Sequence, residues 1–268
     1  MRVVELSSEP VHELEYIDAA PGGGSQMRRL PIFRGTADGL PPGIDAVLVT
    51  SDLQGRARLT SAGGASCLLG EVLAAEYAAL SELETVPPPD FTGVILAGDL
   101  YAAPGADKMG ATGDVRAVWR AFAASYRWVT GVAGNHDLFG NSQELSRFRR
   151  ESGVHLLDGD CVVLDGLRIG GVGGICGNPR KENRREPEDF LRTIQQVLAS
   201  RPHALVLHEG PDGGRPGLRG NPDVRAVVDE KKALVICGHC HWPEPLVTLR
   251  GGTQVLNVDA RAVVLERG

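Results

Sequence analysis

Five short apolar runs in this chain end in side chains able to hold a cation. They finish at Asp52, at Asp99, at Asn135 with His136, at His208, and at the pair His239 and His241. The set mixes oxygen donors with imidazoles and needs no thiolate to complete it. Such donors suit five- or six-coordinate Mn, Fe or Zn better than Ca or Mg. Any one ending, taken singly, reads more simply as a helix-capping Asp or a satisfied polar core residue. Five endings of one kind in one chain make a joint accident improbable.

The elements that must position these residues are legible as strands. Ala46–Thr50, Val94–Ala97, Trp128–Val132, Ala204–Leu207 and Leu234–Cys237 are short β-rich runs of the buried kind. Open α/β sheets carry their sites at the carboxyl ends of such strands. Gly98, Gly134 and Gly238 stand next to the candidate ligands, where glycine lets the backbone turn sharply. Helical spacing predicts helices over 66–83, 114–126 (capped by Asp114), 143–151, 188–200 and 222–232. Val154–Leu157 reads as a strand, and Asp165-Gly166 joins Cys161–Leu164 to Leu167–Val172 as a hairpin. Short strands over 247–249, 254–258 and 262–265 close the chain. Strand and helix alternate in the first half, and hairpins enter in the second. That order predicts an α/β core with two packed sheets, at least one partly antiparallel. Residues 1–43, broken by Pro and Gly, are expected to form an arm or small hairpin, with a flexible leader as the alternative.

Composition excludes several classes. The 268 residues carry a formal net charge of −6, so no basic excess advertises nucleic acid or an anionic membrane. No apolar run approaches the ~20 residues that span a bilayer. Five cysteines, an odd and modest number, with an acidic N-terminus lacking an apolar core, point to a reducing compartment, the cytoplasm.

The ordered motifs Gly98-Asp99, Gly134-Asn135-His136-Asp137, His208 and Gly238-His239-Cys240-His241 resemble those of the calcineurin-like metallophosphoesterases. The resemblance runs from about residue 46 to 258 and implies a four-layer α/β/β/α sandwich. It implies a metallophosphoesterase domain over 44–268, with residues 1–43 an extension. It also implies a two-metal centre that cleaves a phosphomonoester or phosphodiester by in-line attack of a metal-bound hydroxide. Asp52, Asp99 and His241 would bind one cation, and Asp99, Asn135, His208 and His239 the other. Asp99, the bridge, and His136, which stays off the metals as a general acid, would be the catalytic pair. Mn2+ is the expected ion, with Fe or Zn as alternatives.

Two departures narrow this reading. The first motif of the family is Asp-x-His, whereas this chain has Asp52-Leu53-Gln54. A Gln oxygen is neutral and a weaker donor than imidazole, so the first cation should bind less tightly or be a harder ion. Gln54 binds metal directly, through a water, or orients substrate; direct ligation is the expectation. Second, Gly98-Asp99-Leu100-Tyr101-Ala102 lacks the Asp and Arg that follow in phosphoprotein phosphatases of the superfamily. In this the chain more closely resembles the bacterial small-molecule or nucleotide phosphoesterases of the family. Asn135, Arg56 and Arg58 are expected to contact the phosphate. The competing reading is a non-catalytic scaffold on the same fold, which has no need of His136.

Three other signals are weaker. Cys237-Gly238-His239-Cys240 spells a redox motif but lies near the C-terminus with Pro243 and Pro245 close behind, not at the start of a helix. Gly170–Gly174 lacks the spacing and the following helix of a nucleotide loop, and reads as close strand packing. The basic run Pro179–Arg185 reads as a solvated loop, with attraction of a phosphorylated substrate as the alternative.

Overall fold

The computed structural model describes residues 1–57 and 66–268, so Arg58 lies outside the described residues. Strands β1 (Arg2–Leu6), β2 (His12–Ala19), β3 (Ser25–Asp38), β4 (Ala46–Ser51), β5 (Thr92–Leu96), β6 (Trp128–Gly131) and β7 (Val154–Leu156) enter a first sheet. Strands β8 (Asp160–Leu164), β9 (Leu167–Val172), β10 (Ala204–Glu209), β11 (Leu234–Gly238), β12 (Leu246–Thr248) and β13 (Gln254–Asn257) make a second. The chain then returns to the first sheet as β14 (Arg261–Arg267). The strand orders are β1-β3-β14-β4-β5-β6-β7, with β2 also on β3, and β8-β9-β10-β11-β13-β12.

Alternation along the central strands explains the layering. In β4, Ala46 and Leu48 face one core while Val47 and Val49 face another. In β10, Ala204 and Val206 join Val47 and Val49, while Leu205 and Leu207 face a third core. A strand apolar on both faces must be covered on both. Helices α1 (Leu69–Glu82), α2 (Arg116–Ala123) and α3 (Ser142–Phe148) supply Leu73, Tyr77, Trp119 and Phe148 to the outer face of the first sheet. Helices α4 (Pro187–Ala199) and α5 (Pro222–Val228) supply Phe190, Ile194 and Val224 to the second. Three apolar interfaces between helix, sheet, sheet and helix make the four-layer α/β/β/α sandwich that the sequence predicts.

Residues 2–38 extend the first sheet. β2 and β3 form an antiparallel hairpin, β1 pairs with the second half of β3, and β3 runs parallel to β14 from Ile32 to Ala37. The predicted helix at Asp114 starts two residues later. Gly113-Asp114 is drawn into a short parallel ladder with Asp137-Leu138, and the Asp114 carboxylate accepts both the Arg116 backbone N–H, at 3.0 Å, and its guanidinium. That ladder pins the loop after Asp99 against the Asn135-His136 turn. The Cys237 side chain is buried in β11, and burial pushes its thiol up, away from the thiolate a redox centre needs. No described helix is long and apolar enough to cross a membrane.

Candidate metal centre

The candidate ligands gather where the carboxyl ends of both sheets meet. Asp52, Asp99 and Asn135 follow β4, β5 and β6; His208 lies in β10; His239 follows β11. Asp52, Asp99 and His239 all take positive φ, at 54°, 56° and 66°. Backbone of this kind is costly for a side-chain-bearing residue and is held by its surroundings. It swings each side chain off the strand period and into the centre. At Gly134 an added Cβ would fall on the backbone nitrogen and carboxylate oxygen of Asp99, and at Gly238 on Ser51 and the Asp52 carboxylate. Only glycine lets the strand ends close up this far.

Asp99, His208 and His239 offer ligand atoms that all lie within 4.8 Å of one another. The His208 ring is oriented from behind, where Nδ1 donates to the Ala97 carbonyl at 2.8 Å. Its Nε2 therefore faces Asn135 Oδ1 at 3.2 Å and Asp99 Oδ2 at 3.4 Å. A backbone carbonyl behind a ring nitrogen is the usual outer support of a metal-binding histidine. Burial works to lower the His208 imidazolium, but the Asp99 carboxylate overrides it and pushes the group up to about 10. The carboxylate charge that favours a proton on Nε2 would equally favour a cation there. A divalent ion would displace that proton and take the same charge role. Burial, with His208 beside it, lowers His239 and favours the neutral ring that a metal requires. Donor types, spacing and charge thus fit a divalent cation.

The remaining predicted residues divide. Gln54 Nε2 donates to Asp99 Oδ2 at 3.1 Å, so Gln54 reaches the centre through the Asp99 carboxylate. The Asp52 Oδ2 accepts from the His239 backbone N–H at 2.9 Å and from the Ser51 hydroxyl, tying the two sheets together. His136 lies off the ligand cluster. Its backbone N–H donates to Asp99 Oδ1 at 2.8 Å, and its ring Nδ1 hydrogen-bonds Thr112 Oγ1 at 3.1 Å. His241 is turned away and largely exposed, with both ring nitrogens within 3.2 Å of the Arg261 guanidinium. Arg56 spends its guanidinium on the carbonyls of Ser66, Ala102 and Ala103, bracing the loop after Asp99.

A cavity of about 330 Å3 opens on the cluster. Its wall brings in residues that motif reasoning missed: Tyr16, Asp18 and Arg28 from the β2–β3 hairpin, Lys108 from the loop after Asp99, and Asp259. Asp259 follows the run 254–258 just as the other candidates follow theirs, so the strand-end rule itself points to it. Asp137 has a supporting role. Its buried carboxylate accepts from the backbone N–H groups of Asp99, Leu100 and Gly134 at 2.7–2.8 Å. Burial, reinforced by the Asp99 charge, pushes its carboxyl up to about 6. Asp137→Asn keeps the shape but turns an amide NH2 toward one of three N–H donors. It should destabilise the fold by about 1–3 kcal/mol and loosen the turn that presents Asn135. Urea unfolding together with metal titration would measure both.

With fold and centre described, the class is a four-layer α/β/β/α protein with a metal-binding cluster at the sheet ends. The calcineurin-like phosphoesterase family model matches residues 46–243, and the chain belongs to this family. No curated protein matches the sequence. Among solved structures, the chain is similar to the sulfate thiohydrolase SoxB of Thermus thermophilus in complex with glycerol, at TM-score 0.43 and 14% identity. That likeness covers 85% of this chain, which spans only 57% of the SoxB chain.

Proposed function

We propose that this protein is a dinuclear metal-dependent phosphohydrolase, a phosphatase or phosphodiesterase acting on a small phosphomonoester or phosphodiester. The observation that carries this reading is the Asp99, His208 and His239 cluster with its buried support. Divalent cations, when bound, neutralise phosphate oxygens and make water a nucleophile near neutral pH. Asp99, Asn135, His208 and His239 would hold one of them. Asp52, Gln54 and Asp99 would hold the second, with His241 if its ring leaves Arg261. The first position is rich in imidazole and the second in oxygen, an asymmetry that Mn2+ tolerates at both and that Fe or Zn suits at the first. His136, oriented by Thr112 at the cavity wall, donates the proton to the leaving oxygen. Lys108 gives the wall a positive charge for an anionic ester, while Arg28 is paired with Asp18 at 3.3 Å. A cavity this small favours a nucleotide or similar molecule over a nucleic acid, and the cytoplasm supplies such substrates. A scaffold would have no use for an oriented His136.

Metal analysis of the purified protein, with hydrolysis of aryl phosphates, nucleotides and cyclic nucleotides in Mn2+, tests this. Bound metal and phosphate release are expected; no metal and no release with any ester would overturn it. Gln54→His restores an imidazole at the weaker position. Titration of that variant should show a second equivalent of metal binding about tenfold or more tighter than in the wild type.

A further inference from the structure

A second cavity, of about 360 Å3, lies on the other side of the catalytic turn. It is within the size range that holds small ligands. Arg149, Arg180, Lys181 and Arg184 line it, and among the described residues none of the four has a carboxylate partner. Elsewhere in the chain many cations do find acids. Arg116, Arg120, Arg127, Arg185 and Arg267 are each matched with an acid. Of the two acids in the wall, Asp158 is held by Arg185 at 2.6 Å, and Glu182 pairs with none of the four. The Nε of Arg184 is buried without any hydrogen-bond acceptor. A guanidinium donor left without an acceptor is costly.

We infer that this cavity is a binding site for a small polyanion of the phosphate class, separate from the metal centre. Arg184 is the inner donor, and Arg149, Arg180 and Lys181 are the outer charges. Four cations in one concavity of a chain with net charge −6 hold a local field opposite to that of the whole. Guanidinium groups match phosphate oxygens in geometry as well as charge. The loop that carries Arg180, Lys181 and Arg184 is fastened to the catalytic turn. Asn183 Nδ2 donates to the Asp137 carbonyl at 2.7 Å, and the Gly174 N–H donates to the Ala133 carbonyl at 2.8 Å. A bound anion would therefore stiffen the backbone that presents Asn135 and His136.

Titrating chelator-treated, metal-free protein with inorganic pyrophosphate by calorimetry tests this independently of any hydrolytic activity. Saturable binding is expected. It should weaken about tenfold or more in the double variant Arg149→Gln, Arg184→Gln and fall steeply with added salt. Glu182→Gln removes an acid from the cavity wall and should tighten binding, which covers the case in which the arginine variants fold poorly. A parallel titration with a nucleoside triphosphate separates sources. Equal affinity means that the phosphate chain alone is recognised, tighter binding that the cavity also takes the nucleoside; both support the site. No binding by wild-type protein, or equal binding by wild type and a folded double variant, would overturn it.

Discussion

Asp99→Asn is expected to empty the metal centre while leaving the sandwich folded. Each oxygen of Asp99 has more than one task. Oδ1 accepts the His136 backbone N–H at 2.8 Å, and Oδ2 accepts Gln54 Nε2 at 3.1 Å while facing His208 Nε2 at 3.4 Å. An asparagine has one acceptor oxygen, so it cannot keep all of these contacts without a flip of the Gln54 amide and a neutral His208 ring. It also removes the charge that balances His208 and that a bridging ligand would lend to both cations. Losing an outer support of a metal ligand typically costs about 10–100-fold in affinity, and losing a shared ligand should cost more. Inductively coupled plasma analysis after dialysis should find the variant without tightly bound metal, with phosphoester hydrolysis at background. Thermal melting would confirm a folded chain. Retention of metal and of activity within a factor of three would remove Asp99 from the centre.

His136→Ala is expected to separate chemistry from metal binding. The imidazole touches none of the ligand cluster and is held by Thr112, with Gly110 packed where an added Cβ would sit 3.2 Å from the ring. Metal content should therefore stay at the wild-type level. Loss of a positioned general acid lowers kcat by about 10²–10⁴-fold. The loss should depend on the ester. A nitrophenolate departs without a proton and should suffer least, whereas an alkoxide leaving group should show the full deficit. An equal loss for both leaving groups would assign His136 to phosphate binding rather than proton transfer.

Much of the centre was legible because each ligand closes an apolar run, and because glycine stands where strand ends touch. Asp99, His208 and His239 follow from that pattern alone. His241 shows its limit. Spacing of two from His239 implies a shared face only if the chain stays extended, but His239 has φ at 66° and the Cys240 N–H turns back to the Gly238 carbonyl at 2.8 Å. The period breaks there, and Arg261, twenty residues on, meets the displaced ring. Arg56 is a similar case, since its bonds go to a loop whose path depends on the Gly113-Asp114 ladder. The place of residues 2–38 was out of reach for a different reason. The partner of β3 is β14, more than two hundred positions away, and local pattern carries no signal over that distance.

That same pairing sets the order in which the protein can be assembled. β14 lies between β3 and β4, so the β2–β3 hairpin joins the rest of the sheet only through a strand more than two hundred residues further along the chain. Domains otherwise tend to consolidate from the N-terminal side during synthesis. Here the opening strands must wait, with the long edge of β3 exposed, and an unpaired edge invites association with other chains. Because Tyr16, Asp18 and Arg28 wall the metal cavity, that cavity is complete only once β3 has paired with β14.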